Sequence, residues 1–394
     1  MAGTVRTNPG AALAAGAVML LAFADGGFHP AAWRSATVAF FAVAGLGLVL
    51  RWSPGPTRSQ ILVAGALGSL TVWTALSAAW SPDPDGSLLE AQRTVVYVAL
   101  VLAATVLGGS LLRGVLAAVA VVCAWAVGQR LLEGAPSPPD PFQATLLHEP
   151  IGYANGLGAL AAIGLVVVTT VLVRDRRLLG IAIGLTLLFA VTLFLTESRG
   201  GLAAAVVGGG IGAALALGRV VAARVLAGAA GVALAAGLAL SAGSLADDLA
   251  RAGDRPHYWH VAWEDVRDAP LVGRGAGAFD LSWLERRPID ANAQDAHSLY
   301  LETLAELGLV GLVLLLLALA PPLVVALRGT RAPAAAAGYA AFLVHAGVDW
   351  DWELPAVTVA GLLCGSALLV SASAQVPAPE NVSSGEPAEE GVRP

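Results

Sequence analysis

The sequence predicts an all-α membrane protein, a polytopic helical bundle of about twelve spans with one large extracytoplasmic loop that contains a short amphipathic helix. Three observations predict it. Only 13% of the 394 residues are charged, against about 25% in soluble domains. The mean hydropathy is +0.74. Apolar runs of about twenty residues recur along the chain, the length that crosses a roughly 30 Å hydrocarbon core as a helix. They lack the alternation of a membrane β-strand.

In order, the runs fall at 11–28, 36–51, 60–79, 92–108, 111–130, 151–173, 178–196, 200–217, 221–243, 306–327, 333–349 and 355–374. The first reads as a retained signal anchor, because many spans follow it. Residues 1–243 thus hold spans one to nine, 244–297 an outer loop, and 298–374 the last three spans. Residues 375–394, rich in Pro, Ser, Ala and Glu, cannot build a core and read as a disordered cytoplasmic tail.

Arginine sets the sides. All 22 basic residues are Arg; there is no lysine. With the N-terminus inside, Arg6, Arg51, Arg58, Arg113, Arg174, Arg176, Arg177, Arg219, Arg224, Arg328 and Arg331 fall in inner loops. The short outer loops keep Arg34, Arg93, Arg130 and Arg199. The positive-inside rule then places both termini in the cytoplasm and the long loop outside the membrane. His29, His148, His257, His260, His297 and His345 all fall on or near that outer side, as do the acidic stretches Ser81–Glu90 and Asp349–Glu353. Trp33, Trp80, Trp350 and Trp352 are placed for an outer aromatic belt.

Several chemistries are excluded. Without lysine there is no Schiff base and no P-loop. Cys123 and Cys364 lie in apolar runs with no Cys-x-x-Cys, so they read as buried small side chains. No basic patch interleaved with aromatics points to nucleic acid.

The outer loop opens with Asp247, Asp248, Arg251, Asp254 and Arg255. Pro256 suits a first helical position, and Pro256 to Asp268 reads as a helix ended by Pro270. Trp259, Ala262, Trp263 and Val266 recur at helical spacing and predict one apolar face lying in the membrane interface. This helix anchors the loop and positions Arg255. Gly273-Arg274-Gly275-Ala276-Gly277 permits a tight turn or close approach of a ligand; with no preceding strand it is not a dinucleotide fingerprint. Asp295 is placed to cap the next helix. His297 then falls in its first turn, where the helix dipole disfavours imidazolium and leaves a neutral ring suited to a general base. Arg199 sits between two apolar runs with almost no loop, where a charge needs a partner. Glu197 is one; a phosphate suits the planar guanidinium better. Asp83-Pro84-Asp85 and Asp349-Trp350-Asp351 have an Asp-x-Asp form that can hold a divalent metal, although solvated loop acids are the plainer reading.

Seven segments in fixed order carry a resemblance. They are Asn155-Gly156-Leu157, Ser198-Arg199-Gly200, Arg255 followed by Trp259, Pro270 to Gly275, Ala296-His297-Ser298-Leu299-Tyr300-Leu301, Glu306 to Gly311, and His345-Ala346-Gly347-Val348-Asp349-Trp350. Together, over roughly residues 60 to 370, they resemble the O-antigen ligase and O-antigen polymerase superfamily of bacterial envelope glycosyltransferases. The resemblance implies transfer of a glycan from undecaprenyl diphosphate to a hydroxyl acceptor (glycan, lipid or protein) on the outer face of the cytoplasmic membrane. In the polymerases the acceptor is another lipid-linked repeat unit. It implies no cofactor, no nucleotide sugar and no metal. Arg199 and Arg255 correspond to the family's essential arginines, which would bind the diphosphate, and His297 to its loop histidine, the catalytic base. Asn155, Trp259, Gly273, Gly275, Tyr300 and Asp349 are expected around the substrate. Ala296-His297-Ser298 stands where His-Asn is commoner, a departure that bears on the acceptor. Two other classes compete. A transporter or flippase would show inverted repeats and polar groups at the midplane. An envelope scaffold would not need Arg199, Arg255 and His297.

Overall fold

The computed structural model describes residues 8–52, 55–138, 140, 142–174, 179–217, 253–330 and 332–373. Among them the chain forms α1 (Pro9–Ala22), α2 (Pro30–Val49), α3 (Arg58–Ser77), α4 (Pro84–Leu107), α5 (Leu111–Glu133), α6 (Ala154–Arg174), α7 (Leu179–Thr196) and α8 (Arg199–Leu217). Then come α9 (Arg255–Asp268), α10 (Phe279–Arg286), α11 (Leu299–Gly329), α12 (Pro333–Ala346) and α13 (Pro355–Ser373). Short 3-10 turns cover Asp25–Gly27 and Asp351–Glu353. Nine helices among the described residues, α2 to α8, α11 and α13, are long and apolar enough to cross a membrane. The shorter α1 and α12 are also apolar. The expected span 221–243, loop residues 244–252 and the tail 375–394 lie outside the described residues.

Local chemistry sets the helix ends. Proline stands at the first position of α1, α2, α4 and α12 and at the second of α9, where its fixed φ is already helical and its missing N–H costs nothing. Thr57 and Gln60 form a reciprocal capping box on α3. The Asp83 carboxylate accepts the Gly86 N–H at 3.0 Å to cap α4.

Small residues let helices approach closely, as packing in lipid requires. A Cβ at Gly208 would meet the Ala337 carbonyl at 2.7 Å, and one at Gly212 the Ala337 side chain at 2.8 Å. These contacts hold α8 against α12. Gly158 and Gly201 hold α6 against α8 in the same way.

The helix α11 opens at Gly308, which has φ +67° and ψ −169°. Residues 270–275 fill the break. Leu309 N–H donates to the Pro270 carbonyl at 2.9 Å, and Gly275 N–H to the Glu306 carbonyl at 2.8 Å. The glycine-rich stretch is therefore a docking device. A Cβ at Gly273 would lie 2.2 Å from the Glu306 carbonyl, and one at Gly275 2.3 Å from Ser81. At Gly273 and Gly275, where a tight turn or the close approach of a ligand was expected, the near neighbours are the protein's own Glu306 and Ser81.

Two aromatic expectations also change. Trp33 and Trp352 are buried in the bundle, so they pack in the protein interior and not in a lipid-facing belt. On α9 the covered face carries Tyr258, Val261, Ala262 and Val266, packed on Phe279 and Trp283 of α10. Trp263 is 46% exposed. The face that is buried depends on α10, which lies eleven residues further along the chain.

One end of the bundle gathers the turns that matter. Phe28 packs on Trp350 at 5.8 Å, Trp80 donates its indole N–H to the Gly273 carbonyl at 3.2 Å, and Tyr153 packs on Trp350 at 4.7 Å. The loop carrying α9 and α10 lies at this end.

Candidate active site

Arg255 is the first residue of α9. Its guanidinium reaches Asp349, with Nη2 to Oδ2 at 2.7 Å. The Asp349 side chain is fully buried, whereas Arg255 keeps 24% of its own exposed. A buried carboxylate needs such a partner, and part of the guanidinium fork stays open to solvent. The other Asp349 oxygen accepts from the Tyr153 hydroxyl at 2.8 Å and from the Trp350 N–H at 3.0 Å. The Asn155 amide donates to the Tyr153 oxygen at 2.9 Å. Burial, reinforced by the Asp349 charge, holds the Tyr153 phenol well above its ordinary pKa, so it remains a donor. Asn155, Tyr153, Asp349 and Arg255 thus form one connected polar chain across three segments.

His297 stands one residue before the Ser298 cap of α11. It was expected in the first helical turn, with Asp295 as the cap. Instead it takes a left-handed conformation, φ +54°, which costs a non-glycine residue about 1–3 kcal/mol and clusters at functional sites. Its Nδ1 lies 3.0 Å from the Asp295 carbonyl. A carbonyl only accepts, so Nδ1 carries the proton and Nε2 the lone pair. The ring packs beside Tyr258 at 5.0 Å and Trp350 at 6.4 Å. Burial lowers its pKa below the ordinary histidine value, against the raising effects of the Asp349 charge and the Asp295 carbonyl. The ring is neutral near pH 7, as expected, but burial is the main cause and not the dipole of a helix that begins after it.

Arg199 is exposed at the amino end of α8. The Ser198 hydroxyl caps this end by accepting the Gly201 N–H at 3.0 Å. Glu197 before it is left-handed, φ +50°, so the chain reverses within two residues. Gly200 rests on His345 and Val348, which places the start of α8 beside the turn that carries Asp349.

The other expected residues divide. Tyr300 donates to the Leu343 carbonyl at 2.8 Å and ties α11 to α12. Trp259 is half-buried on α9, with an indole N–H that has no acceptor among the described residues. Asp83 caps α4, and Asp85 is exposed. Asp351 turns to His345 at 2.7 Å while Asp349 turns to Arg255. The Asp349/Asp351 pair therefore does not aim both carboxylates at one point.

Sequence reasoning missed two groups. One is the buried His345–Asp351 pair. The other joins Asp295, Glu302 and Glu353, whose ligand oxygens lie within 4.8 Å of one another, close enough to share a cation. Arg93 lies 3.6 Å from Glu353 and offsets part of that charge. Burial lifts the Asp295 carboxyl to about 7. Glu302 and Glu353 also line a small cavity with Glu90 and Glu306. An available signal was the number of acids at helix ends in a chain with so few charges.

Residues 184–316 match the family model described as O-antigen ligase. The match takes in Arg199, Arg255 and His297. No curated protein matches the chain.

Proposed function

We propose, from the match of residues 184–316 to the O-antigen ligase family model, that this chain belongs to the O-antigen ligase superfamily and transfers a glycan from an undecaprenyl-diphosphate carrier to a hydroxyl acceptor on the outer face of a bacterial cytoplasmic membrane. The observation that carries this reading is the convergence at one end of the bundle. Arg255 and Asp349, the ring of His297, and the start of α8 with Arg199 meet around a single turn.

The chemistry follows from the parts. The acceptor hydroxyl attacks the anomeric carbon as the bond to the diphosphate oxygen breaks. The electron pair leaves on the diphosphate, and direct displacement inverts the anomeric centre. Arg199 and the open part of the Arg255 fork neutralise the departing charge through charge-assisted bonds. His297 Nε2 takes the hydroxyl proton, an effect worth about 10²–10⁴ in rate. Asp349 holds Arg255 in place, with the guanidinium and the Tyr153 phenol both donating to it. Ligase and polymerase differ only in the acceptor.

The test is transfer of an undecaprenyl-diphosphate-linked glycan by purified protein, with His297→Ala beside wild type and EDTA present. Transfer by wild type that His297→Ala abolishes supports a glycosyltransferase independent of free divalent metal. Lack of transfer to a panel of glycan, lipid and protein acceptors returns the transporter and scaffold readings. Transfer that EDTA stops returns the metal reading.

A further inference from the structure

His345 and Asp351 take no part in the mechanism above, yet both side chains are fully buried. His345 Nδ1 meets Asp351 Oδ2 at 2.7 Å. Asp351 is itself held, since its backbone carbonyl accepts the Thr358 hydroxyl at 2.6 Å and the Leu354 N–H at 3.1 Å. The opposite edge of the imidazole is not satisfied. His345 Nε2 is buried without a hydrogen-bond partner, and it faces the first turn of α8. A Cβ at Gly200 would lie 3.2 Å from that nitrogen and 3.3 Å from His345 Cδ2.

A buried ionisable pair is weak evidence for stability, since well-packed apolar side chains do as well or better; its best-attested use is to set register. Register is the open question at this interface. Along α8 and α12 the contacts are Gly208 and Gly212 against Ala337 and Ala341. Such a row of small residues packs closely and offers little to oppose sliding. A slip of one helical turn moves a residue about 5.4 Å, enough to carry Arg199 out of reach of a ligand held by Arg255. The same short segment, His345 to Asp351, also contains Asp349, which holds Arg255.

We propose that His345 and Asp351 are positioning residues that fix the amino end of α8 through Gly200, and so aim Arg199 at the diphosphate. The inference rests on the reading of Arg199 as a diphosphate ligand. One segment then sets both arginines, one by a direct ion pair and one through a helix end.

The test uses the full chain in detergent, with binding of undecaprenyl diphosphate and thermal unfolding measured side by side. His345→Leu fills the site with an apolar side chain, and Asp351→Asn keeps its shape. Asp351→Asn is expected to unfold within a few degrees of wild type, whereas His345→Leu leaves the buried Asp351 carboxylate without its partner and is expected to unfold at a lower temperature; in both, binding falls about tenfold or more. In an Arg199→Ala background neither is expected to weaken binding further, because the lost interaction is the same one. Wild-type binding by Asp351→Asn and His345→Leu overturns the proposal, as do losses that add to that of Arg199→Ala. If His345→Leu does not fold, Asp351→Asn decides alone by the same two criteria. Arg199→Ala with unchanged binding overturns the diphosphate reading first, and this proposal with it; a clear Arg199→Ala loss beside silent dyad variants overturns this proposal alone.

Discussion

At the scale of single residues, the site is a balance between charge and burial. His297 is held neutral by burial, and the Asp295 carbonyl fixes its tautomer. His297→Ala is expected to lower kcat by about 10²–10⁴ with little change in donor KM. A base must be unprotonated to act, so activity falls as pH drops through its pKa. Because that pKa is lowered, the acid limb of kcat/KM is expected below the ordinary histidine value of 6.5. A midpoint above 6.5 contradicts the assignment. Asp349 acts differently. Asp349→Asn keeps an acceptor for Tyr153 but removes the charge that holds Arg255. Hydrogen bonds to charged groups contribute about 1.5–3 kcal/mol, so kcat/KM is expected to fall roughly 10- to 100-fold. An Arg255→Lys variant should lose less in the Asp349→Asn background than alone, since the two residues act as a unit. The residue types of this site were legible in the sequence: an always-charged arginine at membrane depth, a loop histidine, an acid beside tryptophan. Their partners were not. Tyr153 and Asp349 are 196 residues apart, and no periodicity links them.

At the scale of elements, the break in α11 is the decisive feature. A continuous helix was expected from the apolar run at 306–327, and apolarity alone does not reveal an opened turn. Gly308 carries a left-handed φ with the Leu271 carbonyl 2.2 Å from where a Cβ would be. Gly308→Ala is therefore expected to destabilise the protein by about 2–5 kcal/mol, combining left-handed strain with overpacking. Thermal unfolding in detergent measures it, and a wild-type melting temperature contradicts the account. The loop that fills the break also orders the approach to α10, because Glu306 accepts the Gly277 and Phe279 N–H groups at 2.9 and 3.0 Å. The glycine-rich stretch was recognisable as a special backbone. What it touches was not, because its partner is the backbone of another helix. The same applies to α9, whose helical period was visible and whose buried face was decided by α10.

At the scale of the whole molecule, the turns that carry His29, Asp83, Asn155, Arg199, His297 and Asp349 gather at one end of a bundle of apolar helices. That end is expected to face outward. Cys123 and Cys364 are buried, so an impermeant maleimide has a low background. Phe142→Cys, at a position 92% exposed, is expected to react in intact spheroplasts. Arg51→Cys is expected to react only after permeabilisation. The reverse pattern contradicts the orientation drawn from the arginines and removes the outer-face chemistry with it.

The sequence by itself determined the class of solvent and the helical architecture, and it set the expectation for the side on which chemistry belongs. These follow from length, apolarity and charge asymmetry, each of which sums over many residues and survives errors at any one. Tertiary structure alone decided which residues share a site. The Arg255–Asp349 pair, the burial that keeps His297 neutral, the filled break at Gly308 and the His345–Asp351 pair under Gly200 all depend on contacts between segments far apart in the chain. Such contacts are set by how helices pack, and a single sequence does not state the packing.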